Sequence, residues 1–143
     1  MKYEASTGKK VGYVISMIIN GAMLYFFNNL SNYDISFLSP SFEKILWAVN
    51  LSLSASIFVN FVFMFFDVAW FHHLMQALLN VFSWLSIYFA YTVFPFNLPS
   101  DFWTRSVRYG LIFLMVVIPI SILVEVVQFF TKLAKYQTQI ESK

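Results

Sequence analysis

The stretch LIFLMVVIPISILVEVVQFF, residues 111–130, decides the fold of this 143-residue chain. It carries only three polar side chains, those of Ser121, Glu125 and Gln128. A helix of this length reaches across the roughly 30 Å hydrocarbon core of a bilayer. The stretch therefore predicts a transmembrane helix, and it places a carboxylate inside that helix.

The composition of the whole chain points to the same class of protein. Hydrophobic residues make up 59% of the chain and charged residues 11%, whereas soluble domains are about a quarter charged. The charges lie between long uncharged windows, which is typical of a polytopic membrane protein. The chain has no cysteine, which excludes disulfides and thiol chemistry. A net charge of +2 without a basic stripe argues against nucleic acid as a partner.

Four apolar segments are separated by short polar connections, at residues 11–30, 42–66, 70–94 and 101–132, and a polar tail follows at 134–143. Pro40 is placed to open the second helix, and Pro95 to end the third. The first segment lacks a signal-peptide cleavage site and is interpreted as a retained helix. Because short loops join antiparallel neighbours, we expect an all-α membrane protein: one domain over residues 1–143, forming an up-down-up-down four-helix bundle.

The distribution of lysine and arginine predicts the orientation of this bundle. An even number of crossings puts both termini on one side, which we call the terminal side. That side carries Lys2, Lys9, Lys10, Lys132, Lys135 and Lys143. The opposite side carries Lys44, Arg105 and Arg108. The excess predicts cytoplasmic termini, and the two arginines are expected to contact lipid headgroups.

Each predicted helix has one polar face when residues advance by about 100° along it. In the fourth helix the polar positions are Ser121, Glu125, Gln128 and Lys132. In the third they are His72, Gln76, Asn80 and Ser83. The first two helices contribute Ser16, Asn20, Ser52, Ser56 and Asn60. Polar groups in a membrane face protein or water, so these faces should meet inside the bundle.

The depth of the polar residues along their helices predicts where in the membrane the polar faces come together. Glu125, Asn60 and Gln76 each lie about six residues from the terminal side, or roughly 10 Å into the membrane. We therefore predict an intramembrane polar cluster centred on Glu125, with His72 or His73 at its mouth. Its predicted members are Glu125, Gln128, Ser121, His72, Gln76, Asn80, Asn60 and Asn20.

Two roles stay open for Glu125 at this stage. It is a structural anchor if it is neutral or if it pairs with His72, His73 or Lys132. Otherwise it belongs to a site for a proton, a cation or a partner subunit. Pro119, two turns before it, removes a backbone hydrogen bond and frees the carbonyl of Met115.

The sequence offers no catalytic constellation and no cofactor motif. It has no G-x-S-x-G turn, no glycine-rich phosphate loop and no paired carboxylates on one face. The adjacent His72 and His73 point about 100° apart on a helix, so they are poorly placed to chelate one metal ion. We therefore expect no catalytic residue, no metal and no cofactor.

Three functional hypotheses follow, in order of preference. The first is a non-catalytic transport-related or accessory subunit, working through the polar cluster and through a homo-oligomer or a partner membrane subunit. The second is an oligomeric channel or a proton- or cation-coupled carrier with Glu125 as the titrating group. The third is an intramembrane enzyme acting on lipid, which requires His72 or His73 within hydrogen-bond reach of Glu125.

Overall fold

A computed structural model of the chain describes residues 6–33 and 35–141. Within these residues the chain is all-helical, with four long helices: α1 (Thr7–Asn29), α2 (Glu43–Phe65), α3 (Ala69–Val93) and α4 (Asp101–Glu141). Each of them is long and apolar enough to cross a membrane. The four apolar segments predicted from the sequence are thus confirmed as helices. Lys2 and Lys143, which entered the orientation argument, lie outside the described residues.

Local sequence explains where the helices begin and end. A single 3₁₀ turn, Pro40–Phe42, leads into α2, and the hydroxyl of Ser39 accepts a hydrogen bond from the backbone N–H of Ser41 at 3.3 Å. α3 ends where Phe94 takes a left-handed conformation, with φ of 43°. Pro95 follows it, and a proline cannot continue a helix.

The connection between α1 and α2 and the connection between α3 and α4 are joined to each other. The backbone N–H of Ser39 donates to the carbonyl of Pro95 at 2.9 Å, and that of Asn97 donates to the carbonyl of Phe37 at 2.8 Å. These bonds hold the α1–α2 connection against the α3–α4 connection. A small buried core beside them comprises Leu30, Phe42 and Ile45.

Successive helices pack against each other: α1 on α2, α2 on α3 and, most extensively, α3 on α4. The serine-rich part of α2 is one contact region, as its small side chains predict. The Ser52 and Ser83 hydroxyls lie 3.4 Å apart, and the Ser86 hydroxyl donates to the carbonyl of Ala48 at 2.9 Å. α2 and α3 therefore approach closely at these positions.

α4 continues past Lys132, the end expected for it, to Glu141. The sequence beyond Lys132 contains neither proline nor glycine, so nothing in it stops a helix. The ring of Tyr136, in this extension, lies 6.4 Å from that of Trp70 at the start of α3. Most of the polar tail expected after the fourth helix is thus a helical extension in contact with α3; its last two residues are not described.

Pro119 lies within α4, and the backbone group it leaves free has a partner on α3. The indole Nε1–H of Trp84 donates to the carbonyl of Met115 at 3.2 Å. A proline has no N–H to offer the carbonyl four residues before it. Inside a membrane such a carbonyl needs another donor, and Trp84 supplies it.

Candidate functional site

The central feature of the α3–α4 interface is a pair of titratable side chains, His73 and Glu125. Nδ1 of His73 lies 2.7 Å from Oε2 of Glu125. The two side chains are 19% and 20% exposed, respectively. A contact this short between an imidazole and a carboxylate is a strong, charge-assisted hydrogen bond when the imidazole is protonated. We refer to it as the His73–Glu125 pair.

A second polar contact lies deeper on the same interface. The side-chain amide of Asn80 donates to the hydroxyl of Ser121 at 3.2 Å. Asn80 is two helical turns from His73, and Ser121 is one turn from Glu125. Of these two contacts, only that between Asn80 and Ser121 joins the polar faces predicted for the third and fourth helices, because His73 lies beside the predicted face of the third helix.

A separate polar group surrounds Asp67, which lies in the connection between α2 and α3. Its side chain is only 3% exposed. Its carboxylate accepts from Nζ of Lys9 at 2.9 Å, lies 3.1 Å from Nδ1 of His72 and is hydrogen-bonded to Tyr13. We call these four residues the Asp67 group. It joins the start of α1 to the start of α3.

The electrostatics of Asp67 follow from these contacts. Burial alone would raise the pKa of its carboxyl, because the charged form loses water. The hydrogen bonds from Lys9 and His72 and the charge of Lys9 act in the opposite direction and hold the pKa below its ordinary value. Asp67 is therefore a charged anchor at neutral pH.

The two adjacent histidines thus have different surroundings. The ring of His72 stacks on that of Phe63, with centroids 4.4 Å apart and planes inclined by 15°. Together with Asp67, this stacking holds His72 away from Glu125. Neighbouring residues on a helix point about 100° apart, so only His73 reaches α4.

Other members of the predicted cluster are not brought to Glu125. The amide of Asn20 donates to the carbonyl of Ser16, and that of Asn60 to the carbonyl of Ser56, each at 2.7 Å. A short amide side chain can bond its own helix one turn back, which competes with a bond to another helix. These bonds of the two asparagine side chains thus stay within their own helices.

The two glutamines predicted for the cluster also lie apart from the pair. Gln76 is half-buried on α3 and Gln128 is exposed on α4. Within the described residues, neither makes a hydrogen bond to His73 or Glu125. The single cluster expected from the sequence is thus divided into the His73–Glu125 pair and the Asp67 group.

Sequence reasoning did not assign Asp67 a place in the polar cluster, although a signal was present. Asp67 lies on the predicted terminal side, the same side as Lys9, and it is the one acid between the second and third helices. Opposite charges at one membrane surface favour pairing. Attention to connections as well as to helix faces would have found this contact.

The two arginines expected at lipid headgroups differ in their contacts. The guanidinium of Arg108 lies 4.6 Å from the ring centroid of Phe94, in a cation–π contact. Arg105 is exposed and lines a groove at the start of α4. The side chains of Arg105 and Arg108 therefore have different surroundings.

Metal-ligating side chains do not converge in the described part of the chain, where no three of His, Cys, Asp and Glu are grouped to hold an ion. Comparison with known proteins assigns no function to this chain. Neither the family models, the curated proteins nor the solved structures include a match to this chain. Any function must therefore be argued from the side chains themselves.

Proposed function

We propose that the chain is an integral membrane protein of one domain, whose four helices cross as an antiparallel bundle. The contacts between α3 and α4 support this topology, since later residues of α3 meet earlier residues of α4. The order is seen in His73 with Glu125, Trp84 with Met115, and Phe94 with Arg108. Large apolar side chains on the outer face of α4 are exposed, as lipid contact requires: Val116, Ile120, Leu123, Val127 and Phe130.

The proposed orientation has both termini in the cytoplasm. Its support is the excess of lysine on the terminal side, to which Lys9, Lys10, Lys132 and Lys135 contribute among the described residues. Lys9 is bound to Asp67 and still has an exposed side chain, so its charge remains at the surface.

The function we propose is that of a non-catalytic transport-related or accessory membrane subunit, and its functional polar contact is the His73–Glu125 pair. The observation that carries this proposal is the 2.7 Å contact itself, which also meets the distance requirement stated for an intramembrane enzyme. Such groups are expensive in a membrane unless paired, and intramembrane ionisable residues are commonly functional. Because each side chain keeps about a fifth of its surface exposed, a partner group at the α3–α4 interface has access to the pair.

A proton- or cation-coupled carrier, or an oligomeric channel, is the second candidate, and one observation favours it. The rings of His72 and His73 lie 6.1 Å apart, so the Asp67 group and the His73–Glu125 pair are neighbours. Imidazoles exchange protons near neutral pH. A line of titratable groups would thus lead from the terminal surface to Glu125.

The topology is tested by labelling single cysteines, since the chain has none of its own. Ser36→Cys and Thr138→Cys change exposed residues on opposite sides of the proposed bundle. In intact cells an impermeant maleimide should label position 36 and spare position 138, which becomes reactive only after permeabilisation. Labelling of both positions in intact cells would contradict the topology, and the reverse pattern would contradict the orientation.

The function is tested with Glu125→Gln against Glu141→Gln, a matched loss of an acid from the exposed end of the same helix. A subunit role predicts that only the first variant alters assembly on native gels of solubilised membranes. A carrier role predicts a pH-dependent ion flux in proteoliposomes that Glu125→Gln abolishes. If Glu125→Gln changes neither assembly nor flux, the His73–Glu125 pair is not the functional site.

A further inference from the structure

The first two turns of α4 border a groove on the side of the molecule opposite the termini. Its volume is about 450 Å³, and its lining residues are Asp101, Phe102, Arg105, Ser106 and Tyr109. We call it the Arg105 groove. Asp101 and Arg105 are four residues apart, so their side chains project from the same face of the helix. The groove thus combines one carboxylate, one guanidinium and aromatic walls.

Both charged groups of the groove are available to a ligand. Neither Asp101 nor Arg105 makes an ion pair or a hydrogen bond through its side chain within the described residues. Arg108, one turn further along α4, is instead held over the ring of Phe94. Arg105 is therefore the guanidinium of this helix end without a ring contact, and the carboxylate of Asp101 lies one turn before it.

We propose that the Arg105 groove binds the headgroup of a zwitterionic phospholipid that carries a primary ammonium. The phosphate is held by the guanidinium of Arg105, which donates to phosphate oxygens in a planar fork. The ammonium donates to the carboxylate of Asp101. Tyr109, largely exposed and one turn beyond Arg105, lies against the glycerol and upper acyl region, where aromatic side chains are enriched in membrane proteins. Phe102, which is also exposed, lies at the level of Asp101 and borders the headgroup.

Charge complementarity selects this headgroup over the common alternatives. An anionic headgroup would bring its phosphate beside Asp101 without a cation to neutralise that carboxylate. A choline headgroup carries a quaternary ammonium, which has no N–H to donate to Asp101. The inference rests on the membrane placement proposed above, because a lipid ligand requires the groove to lie at a bilayer surface.

The test is native mass spectrometry of the full chain released from nanodiscs that contain equal amounts of phosphatidylethanolamine, phosphatidylcholine and phosphatidylglycerol. The wild type should retain phosphatidylethanolamine roughly two- to fivefold over the other two lipids, the range expected for exposed charge pairs. Arg105→Gln should lower retention of all three lipids. Asp101→Asn should remove the preference for ethanolamine and favour the glycerol lipid. Lys135→Gln is the matched control: it removes an exposed positive charge from the other end of α4 and should keep the wild-type preference.

Two results would overturn the assignment. One is equal or stronger retention of phosphatidylglycerol by the wild type, and the other is unchanged retention by Arg105→Gln. Failure of the underlying membrane proposal looks different, because the chain would then not enter nanodiscs at all. Circular dichroism of each variant shows whether a loss of lipid reflects a loss of helix instead of a loss of the site.

Discussion

Breaking the His73–Glu125 pair should destabilise the protein by an amount that the structure allows us to bound. Exposed ion pairs contribute about 0.2–1 kcal/mol, and hydrogen bonds to charged groups about 1.5–3 kcal/mol. Polar contacts between membrane helices average about 0.6 kcal/mol and reach about 1.7 kcal/mol. The contact between His73 and Glu125 is 2.7 Å long, and each side chain is about one-fifth exposed. Its free energy should therefore lie near the top of the range for polar contacts between membrane helices. We expect a coupling free energy of about 1.5 kcal/mol, or roughly tenfold in the unfolding equilibrium.

A double-mutant cycle isolates this coupling from the other effects of each substitution. His73→Ala, Glu125→Ala and the double variant are unfolded in mixed micelles with increasing SDS, and helix loss is followed by circular dichroism. The cavity and propensity costs of each single change recur in the double variant and cancel. His72→Ala with Glu125→Ala is the matched control, since the His72 ring lies against Phe63 and Asp67.

The control cycle should give a coupling of about 0.5 kcal/mol or less, because no direct contact joins His72 to Glu125. A His73 cycle that is equally additive would refute our account of the pair. A larger coupling for His72 than for His73 would show that the assignment of the two histidines is reversed.

Two further predictions concern single contacts. Trp84→Phe should cost about 1 kcal/mol by leaving the carbonyl of Met115 without a donor, and the cost should shrink in a Pro119→Ala background, where residue 119 has its own N–H. Equal costs in both backgrounds, measured by the same SDS titration, would contradict this role for Trp84. Because folding lowers the pKa of Asp67 below 3.8, its stabilisation is fully present above that pH and is lost as the pH falls through the folded pKa. Stability measured between pH 5 and pH 2 (roughly the acid window of a carboxyl) should therefore fall less steeply in Asp67→Asn than in the wild type, and parallel profiles would argue against a salt-bridged Asp67.

The sequence contained enough information to predict the helices and part of the α3–α4 interface. Apolar length identified four helices, and proline positions marked two of their limits. Periodicity placed Ser121 on the same face as Glu125, and Asn80 on the polar face of the third helix. The contact between Asn80 and Ser121 agrees with that reasoning, because angular position and depth follow from the regular geometry of a helix.

Partner choice within the polar cluster required the tertiary structure. Whether His72 or His73 reaches Glu125 depends on the rotation of α3 about its own axis. The two side chains point about 100° apart, so a rotation that brings one of them to Glu125 turns the other away. Asn20 and Asn60 bond their own helices instead of a neighbour, and Asp67 finds Lys9 from a position far away in sequence.

What the sequence by itself determined is thus the number of helices, the approximate limits of most of them and the position of each polar side chain around and along its helix. What only the tertiary structure decided is which of these side chains touch. The reason is physical: a helix repeats its geometry, so spacing along the chain fixes the relative positions of side chains on one helix. A hydrogen bond requires two atoms within about 3 Å, and that distance is set by how the helices pack.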